Sequence, residues 1–235
     1  MDRDPPEGVK LQLRQEAAFG CCICGHPIFQ YHHIVEWAQE QHFRPEDMMV
    51  LCPNHHNQAT AKALSTLLQR QAKANPYNRE HGLVSGQLAV EQKQLTVLLG
   101  SNTYINTPIL LEINSRPIVA MSLGPKGTLL LDLDLYGKDG NLVARVSKNE
   151  WEARADSTWD IEFRYRWLRL REAQRKISLE IDATKSTVEI RAYLWFKGQP
   201  IRLGPKKTVL GGNIGNHTIQ DFTFEGGRAA ISISI

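Results

Sequence analysis

Cysteine disappears from this 235-residue chain after position 52, and beyond position 56 only two histidines remain. No run approaches the roughly 18 consecutive apolar residues of a membrane-spanning helix, so no membrane partner is expected. Nor does an apolar run follow the polar opening MDRDPPEGVK. A secretory signal is therefore not expected, and the cytoplasm is the expected location. Neither sign of charge dominates, since 28 Lys and Arg stand against 25 Asp and Glu, a net +3. So small an excess is compatible with a nucleic-acid partner without demanding one. No strict internal repeat is found.

What is present is concentrated at the start. All four cysteines and six of the eight histidines lie in the first 56 residues, within CCICG (21–25), HPIFQYHHIVEW (26–37), the connection through His42, and LCPNHHNQAT (51–60). A reducing compartment keeps cysteines as thiols, so their clustering points to metal rather than to disulfides. Cys21 and Cys24 have knuckle spacing: two sulfurs three positions apart can face one ion while the amides between them turn toward sulfur. Cys52 and His55 repeat the spacing with imidazole in the last place. Together the four make a closed tetrahedral Cys3His set, with structural Zn2+ as the expected occupant. Cys22 would break the gap to Cys24 and is expected as a small buried thiol. His26 and His42 are expected to be ordinary structural histidines.

Three histidines are left over. His32 and His33 are neighbours in a predicted strand, where adjacent side chains point to opposite sides, so one can ligate a metal while the other faces a substrate. His56 follows directly on a zinc ligand, and the ion that fixes His55 fixes it too. The zinc would act as a clasp between a strand carrying two histidines and a helix carrying a third.

The surrounding pattern fits this arrangement. Residues 7–18 suit a short helix, Phe29 to Glu36 and Met48 to Leu51 two short strands. From about His56 the chain turns helical, with Leu64, Leu67 and Leu68 at helical spacing and a stop at Asn75–Pro76. Beyond residue 80 the texture becomes β. About ten short runs, among them TLLLDLDLY (128–136), DIEFRYRW (160–167) and TVEIRAYLWF (187–196), alternate or are rich in β-branched residues. Turn signals such as KDG (138–140), GGN (211–213) and EGG (225–227) separate them. The expectation is an α+β chain with a zinc-knuckle domain over 1–78 and an all-β domain over 79–235. The short strands and glycine-marked corners favour a β-solenoid over a β-sandwich.

Over about residues 10–75 the chain resembles the HNH endonucleases, the ββα-metal nucleases, in their zinc-knuckle form. The motifs that carry the resemblance are Cys21-x-x-Cys24-Gly25, His32-His33-Ile34, Asp47 five residues before Cys52, and Cys52-x-x-His55-His56. The resemblance implies metal-assisted hydrolysis of a phosphodiester. His32 and His56 would hold a catalytic divalent ion, and His33 would be the general base. Asp47 stands where the family usually has asparagine, and would steady the loop or the base. Two imidazoles without a carboxylate make a comparatively soft site, so Mn2+, Ni2+ or Co2+ should serve at least as well as Mg2+. The implied partner is DNA, with RNA as the alternative nucleic acid, in a setting such as bacterial restriction or anti-phage defence. A zinc-stabilised module that binds nucleic acid without cutting it, or a scaffold, is the competing reading.

The β region contributes one basic stretch, RYRWLRLREAQRK (164–176). Arg164, Arg166, Arg169 and Arg171, interleaved with aromatics, are candidate nucleic-acid contacts. A solvated arginine face over an aromatic core face is the plainer reading of the same pattern. The β region could equally hold subunits together as a homo-oligomer, or dock a partner from a defence system.

Overall fold

The computed structural model describes residues 3–211 and 217–234. The chain is mixed α+β, mostly strand, and divides into two units. The first comprises Met1–Gly86 with Ala153–Phe163, and the second Gln87–Glu152 with Arg164–Ile235. The division is discontinuous, where the change of texture had suggested a single cut after residue 78. Among the described residues no helix is long and apolar enough to cross a membrane.

The first unit opens with helix α1 (Glu7–Glu16), whose Leu13 and following Ala17 enter a core made with Cys21, Cys22, Ile34 and Met48–Cys52. Strand β1 (Gln30–His33) pairs antiparallel with β2 (Met48–Leu51), setting His32 opposite Met49 and His33 opposite Met48. All four residues of β2 are buried, because α1 covers one face and the knuckle the other side of the same cluster. Pro53 at the first turn starts helix α2 (Pro53–Thr60), a position where proline's missing N–H costs nothing.

The single helix expected from His56 to Asn75 is in fact two. Helix α2 stops at Thr60, Lys62 takes a left-handed φ of 61°, and Ser65 restarts helix α3 (Thr66–Ala74) by accepting the Leu68 amide on its hydroxyl. The restart rotates the helical face. Leu67 and Leu68, which with Leu64 mark the helical spacing, are 68% and 50% exposed, while Gln69 is buried. Helix α4 (Tyr77–His81) follows Pro76 and places Asn78 in the interior.

Residues 153–163 belong to this unit through a buried ion pair. Arg14 Nε and Nη2 donate to the two Asp160 oxygens at 2.9 Å each, and Arg14 Nη1 donates to the Tyr31 hydroxyl at 2.9 Å. Both charged side chains are nearly inaccessible, so each needs the other.

The second unit is built from two large, mainly antiparallel sheets. One runs through the strands 229–233, 109–113, 116–123, 129–136 and 142–147 in that spatial order. The other runs through 167–173, 176–182, 188–196, 199–203, 208–210 and 217–219. Leu129, Leu131, Leu133 and Leu135 of the first alternate inward, as do Val188, Ile190, Ala192 and Leu194 of the second, and the two strands pack on one another. The result corrects the solenoid expectation. Neighbours in each sheet are mostly consecutive hairpin partners running antiparallel, whereas stacked coils would pair in parallel with the next coil. The glycine corner at 211–213 that favoured the solenoid lies mostly outside the described residues.

Strands are also more numerous than expected. Two that the sequence hid, Arg116–Leu123 and Glu150–Arg154, each follow a two-residue turn without glycine. Asn114–Ser115 (φ 49° and 62°) and Lys148–Asn149 (φ 48° and 70°) adopt the double left-handed geometry that hairpins favour and that Asn-Gly usually announces.

Candidate functional site

The knuckles meet as their spacing predicts. One ligand atom from each of Cys21, Cys24, Cys52 and His55 lies within 4.8 Å of every other. His55 Nδ1 is 3.4 Å from the Cys21 sulfur and 3.2 Å from that of Cys52, and the Cys24 and Cys52 sulfurs are 3.8 Å apart. Sulfurs bound at about 2.3 Å to a tetrahedral ion stand about 3.8 Å apart, so the four side chains are set to hold a metal ion. Burial pushes the Cys21 thiol up, while the backbone amides of Cys52, Ile23 and Cys24 point at its sulfur and favour the thiolate. A cation between the sulfurs is the missing charge that this donor set fits. Cys22 is buried, its thiol pushed up to about 11 by burial, and its amide donates to the Val50 carbonyl as part of the core.

Asn78 locks the first knuckle from behind. Its side-chain amide donates to the carbonyls of Ala18 and Gly25 at 3.2 and 3.1 Å. Gly25 sits at φ 72°, and a Cβ there would fall 2.2 Å from the Asn78 oxygen, so the turn admits glycine alone.

Around this metal-binding set the three remaining histidines take distinct surroundings. His32 is buried, and its ring centroid lies 5.1 Å from that of His56 with the planes at 89°. Its Nε2 lies 3.1 Å from Gln69 Oε1, and the Gln69 amide nitrogen donates to the Leu64 carbonyl at 2.9 Å. Because the amide nitrogen is spent on Leu64, Gln69 presents its oxygen to His32, which must then carry its proton on Nε2. The lone pair is therefore on Nδ1, and that atom is buried with no hydrogen-bond partner. The orphaned nitrogen faces a second imidazole, and its tautomer is set from behind by Gln69.

His33 goes to the other side of the strand. Its Nε2 lies 3.1 Å from the His42 carbonyl, which can only accept, so the lone pair of neutral His33 is on Nδ1. The rings of Trp37 and His42 pack against it at 5.1 and 5.2 Å. His42 is itself held by the Val35 carbonyl at 3.1 Å from its Nε2. The loop between β1 and β2 thus grips His33 by a backbone carbonyl and an aromatic wall.

Electrostatics keep all three rings neutral near pH 7. Burial lowers His32 to about 4, with His56 and His33 adding repulsion. Burial also lowers His33, against the His42 carbonyl, and lowers His56 together with the charge of Arg3. Neutral imidazole is the form that ligates a metal or accepts a proton. His32, His33, Trp37, Lys62, Gln69 and Arg3 line one cleft of about 460 Å³, and His33 and His56 share an adjoining one of about 370 Å³ with Arg3.

Asp47 is placed away from these rings. Arg70 and Arg44 donate to its two carboxylate oxygens at 2.6 and 2.9 Å and hold it below the usual carboxylate range. Its backbone carbonyl accepts the Ile34 amide at 2.8 Å, closing the loop just beyond His33. Of the two tasks expected for Asp47, its contacts serve the loop, and it is the His42 carbonyl that contacts His33. Glu36 is a half-exposed surface residue 3.8 Å from Lys62. The His26 ring bonds locally, to Ile28.

Arg164 and Arg166 do not share the single strand face expected of them. The run 160–167 is interrupted by a turn at Tyr165–Arg166 after the strand Asp160–Arg164. The Ala183 carbonyl accepts Arg166 Nε at 2.9 Å, and Glu91 lies 3.1 Å from the same guanidinium, which anchors the corner. Arg164 and Arg169 lie over Trp167 at 5.8 and 4.4 Å, Arg169 also pairs with Glu180 at 2.6 Å, and Arg171 follows on the same strand.

Sequence reasoning passed over Gln69 and Arg3 in the clefts and His42 behind His33. Gln69 opens the polar run Gln69-Arg70-Gln71, where nothing local marks it for burial. His42 reads as an ordinary histidine in the sequence, since nothing local reveals that its carbonyl meets His33. Arg3 lies in a polar segment with no motif. No protein family's sequence pattern matches the chain, and no curated protein or solved structure matches it.

Proposed function

We propose that this chain is a metal-dependent endonuclease of the HNH type that hydrolyses phosphodiester bonds in DNA, with a structural zinc in the Cys3His set. The observation that carries the reading is the buried, partnerless Nδ1 of His32 beside His56, with its tautomer fixed by Gln69. Two imidazoles on one ion at about 2.1 Å put their ring centroids about 5 Å apart, which agrees with the 5.1 Å found. The sulfur-rich Cys3His set is one that zinc prefers, and its closed coordination leaves it a structural part.

His32 and His56 would hold a divalent ion, which when bound would supply Lewis-acid stabilisation of negative charge on the phosphate. The chain's own residues do the rest. His33, neutral and with its lone pair on Nδ1, accepts the proton of a water attacking phosphorus. The His42 carbonyl stabilises the resulting imidazolium, because it accepts from Nε2–H more strongly once the ring is charged. Arg3 brings the positive charge that a phosphate diester requires to the mouth of the cleft. Trp37 and Phe43 keep the His33 ring from turning.

Supercoiled plasmid incubated with the purified protein and Mn2+ tests the reading. The expected outcome is nicking by the wild type and loss of at least about a hundredfold in rate for His33→Ala, within the usual range for a general base. Zinc content and the overall fold should be intact in that variant. Equal cleavage by His33→Ala, or binding of plasmid without nicking, refutes the proposal.

A further inference from the structure

The outer face of the larger sheet in the second unit carries an array that a solvated face does not need. Along the strand 188–196, Arg191, Tyr193 and Trp195 alternate with buried Ala192 and Leu194 and so share the outward side. Cross-strand register extends that side. Tyr193 lies opposite Arg202, and Arg191 lies opposite Glu180, which in turn lies opposite Arg169. Trp167 stands two residues along from Arg169, on the same side.

Each of the three half-buried aromatic rings is accompanied by a cation. The Arg202 guanidinium is 5.1 Å from the Tyr193 ring, the Lys138 ammonium 5.7 Å from Trp195, and the Arg169 guanidinium 4.4 Å from Trp167. The acids on this side are engaged, and Asp182, opposite Trp167, accepts from the Thr184 amide and hydroxyl. Glu180 is buried between Arg169 and Arg191, and Glu189, farther along, is taken by Lys185 at 2.7 Å. Arg202 and Lys138 are exposed, so the face presents positive charge beside flat rings.

We propose that this face binds single-stranded DNA, with bases stacked on Trp167, Tyr193 and Trp195 and phosphates held by Arg191, Arg202 and Lys138. The assignment of DNA rests on the nuclease reading; the single strand follows from the surface. A duplex hides the base faces that the rings would stack on, whereas unpaired bases offer them. At about 3.3 Å per residue and 4.8 Å per strand, Trp167 and Trp195 stand about 20 Å apart, room for several nucleotides.

Fluorescence anisotropy of a labelled oligothymidylate, titrated with the full zinc-loaded chain without added Mg2+ or Mn2+, tests the proposal. Tyr193→Ala and Trp195→Ala should each weaken binding about tenfold, the lower half of the range for a lost stack, and Trp195→Phe should change it by less than about threefold. Arg202→Ala, an exposed change that the fold tolerates, should reduce the slope of log affinity against log salt by about 0.7. Binding that ignores Tyr193, Trp195 and Arg202 overturns the proposal, as does tighter binding of the matching duplex. Tighter binding of oligouridylate overturns the choice of DNA. Plasmid nicking alongside oligothymidylate binding indifferent to these residues would sink this surface and leave the nuclease standing. Binding that depends on Trp195 without nicking would do the reverse.

Discussion

Replacing Gln69 with leucine should cripple the histidine cleft without touching a histidine. Gln69 is 5% exposed, accepts from His32 Nε2 at 3.1 Å and donates to the Leu64 carbonyl at 2.9 Å. Leucine has nearly the same volume, so the cavity term is small and the change removes hydrogen bonding alone. His32 then has a buried N–H without an acceptor, which costs about 1–3 kcal/mol. The ring can escape that cost by moving its proton to Nδ1, but then the lone pair leaves the side shared with His56. Either way, binding of a divalent ion should weaken by about 10- to 100-fold, the usual effect of losing the partner behind a ligating imidazole. The two magnitudes agree, since about 1.4 kcal/mol is a factor of ten. Calorimetric titration of the zinc-loaded protein with Mn2+ measures the effect directly. Gln69→Glu is the control: it keeps an acceptor for Nε2–H, gives up the bond to Leu64, and should retain most of the affinity. Mn2+ affinity within about threefold of wild type in Gln69→Leu, with His32→Ala abolishing binding, would refute the argument that Gln69 sets the tautomer.

Other consequences can be measured separately. Cys24→Ser or Cys52→Ser, or exhaustive chelation, should unfold the first unit, because the folding free energy of a knuckle comes from its ion; retained protection of β1 and β2 amides against hydrogen exchange would contradict this. Asp160→Ala leaves Arg14 charged and buried and should cost about 3–5 kcal/mol in urea unfolding, whereas Arg14→Met combined with Asp160→Leu should cost much less; a loss below about 1 kcal/mol in the single variant would deny the pair its role. Acid should destabilise the second unit through Asp134. Burial alone would raise this carboxyl, but bonds from Arg145 and Tyr136, with Arg116 adding, hold it below its ordinary 3.8. The unfolded chain therefore binds more protons, so Asp134 stabilises the fold fully above about pH 4 and loses that contribution as pH falls through the depressed folded value. Asp134→Asn should flatten the acid limb of a stability profile, and an unchanged limb would argue against it.

The metal-binding set was legible in the chain itself because each knuckle is local: Cys21 with Cys24, and Cys52 with His55, are close in space because they are close in sequence, and a single ion can join them. The strand pair, the polar connection and the helix starting after Cys52 were legible for the same reason. What tertiary structure alone decided is which faces meet. Gln69 reaches His32 only because Ser65 restarts a helix that composition would have continued, and His42 serves His33 through a carbonyl, a group every residue owns. In the β region, alternation fixed which side of each strand is buried, but not how many strands there are. Hairpins turned by Asn114–Ser115 and Lys148–Asn149 carry no glycine to announce them. Nor could alternation reveal that Arg202 lies over Tyr193, since strand register is settled by the packing of the whole sheet and not by any one strand.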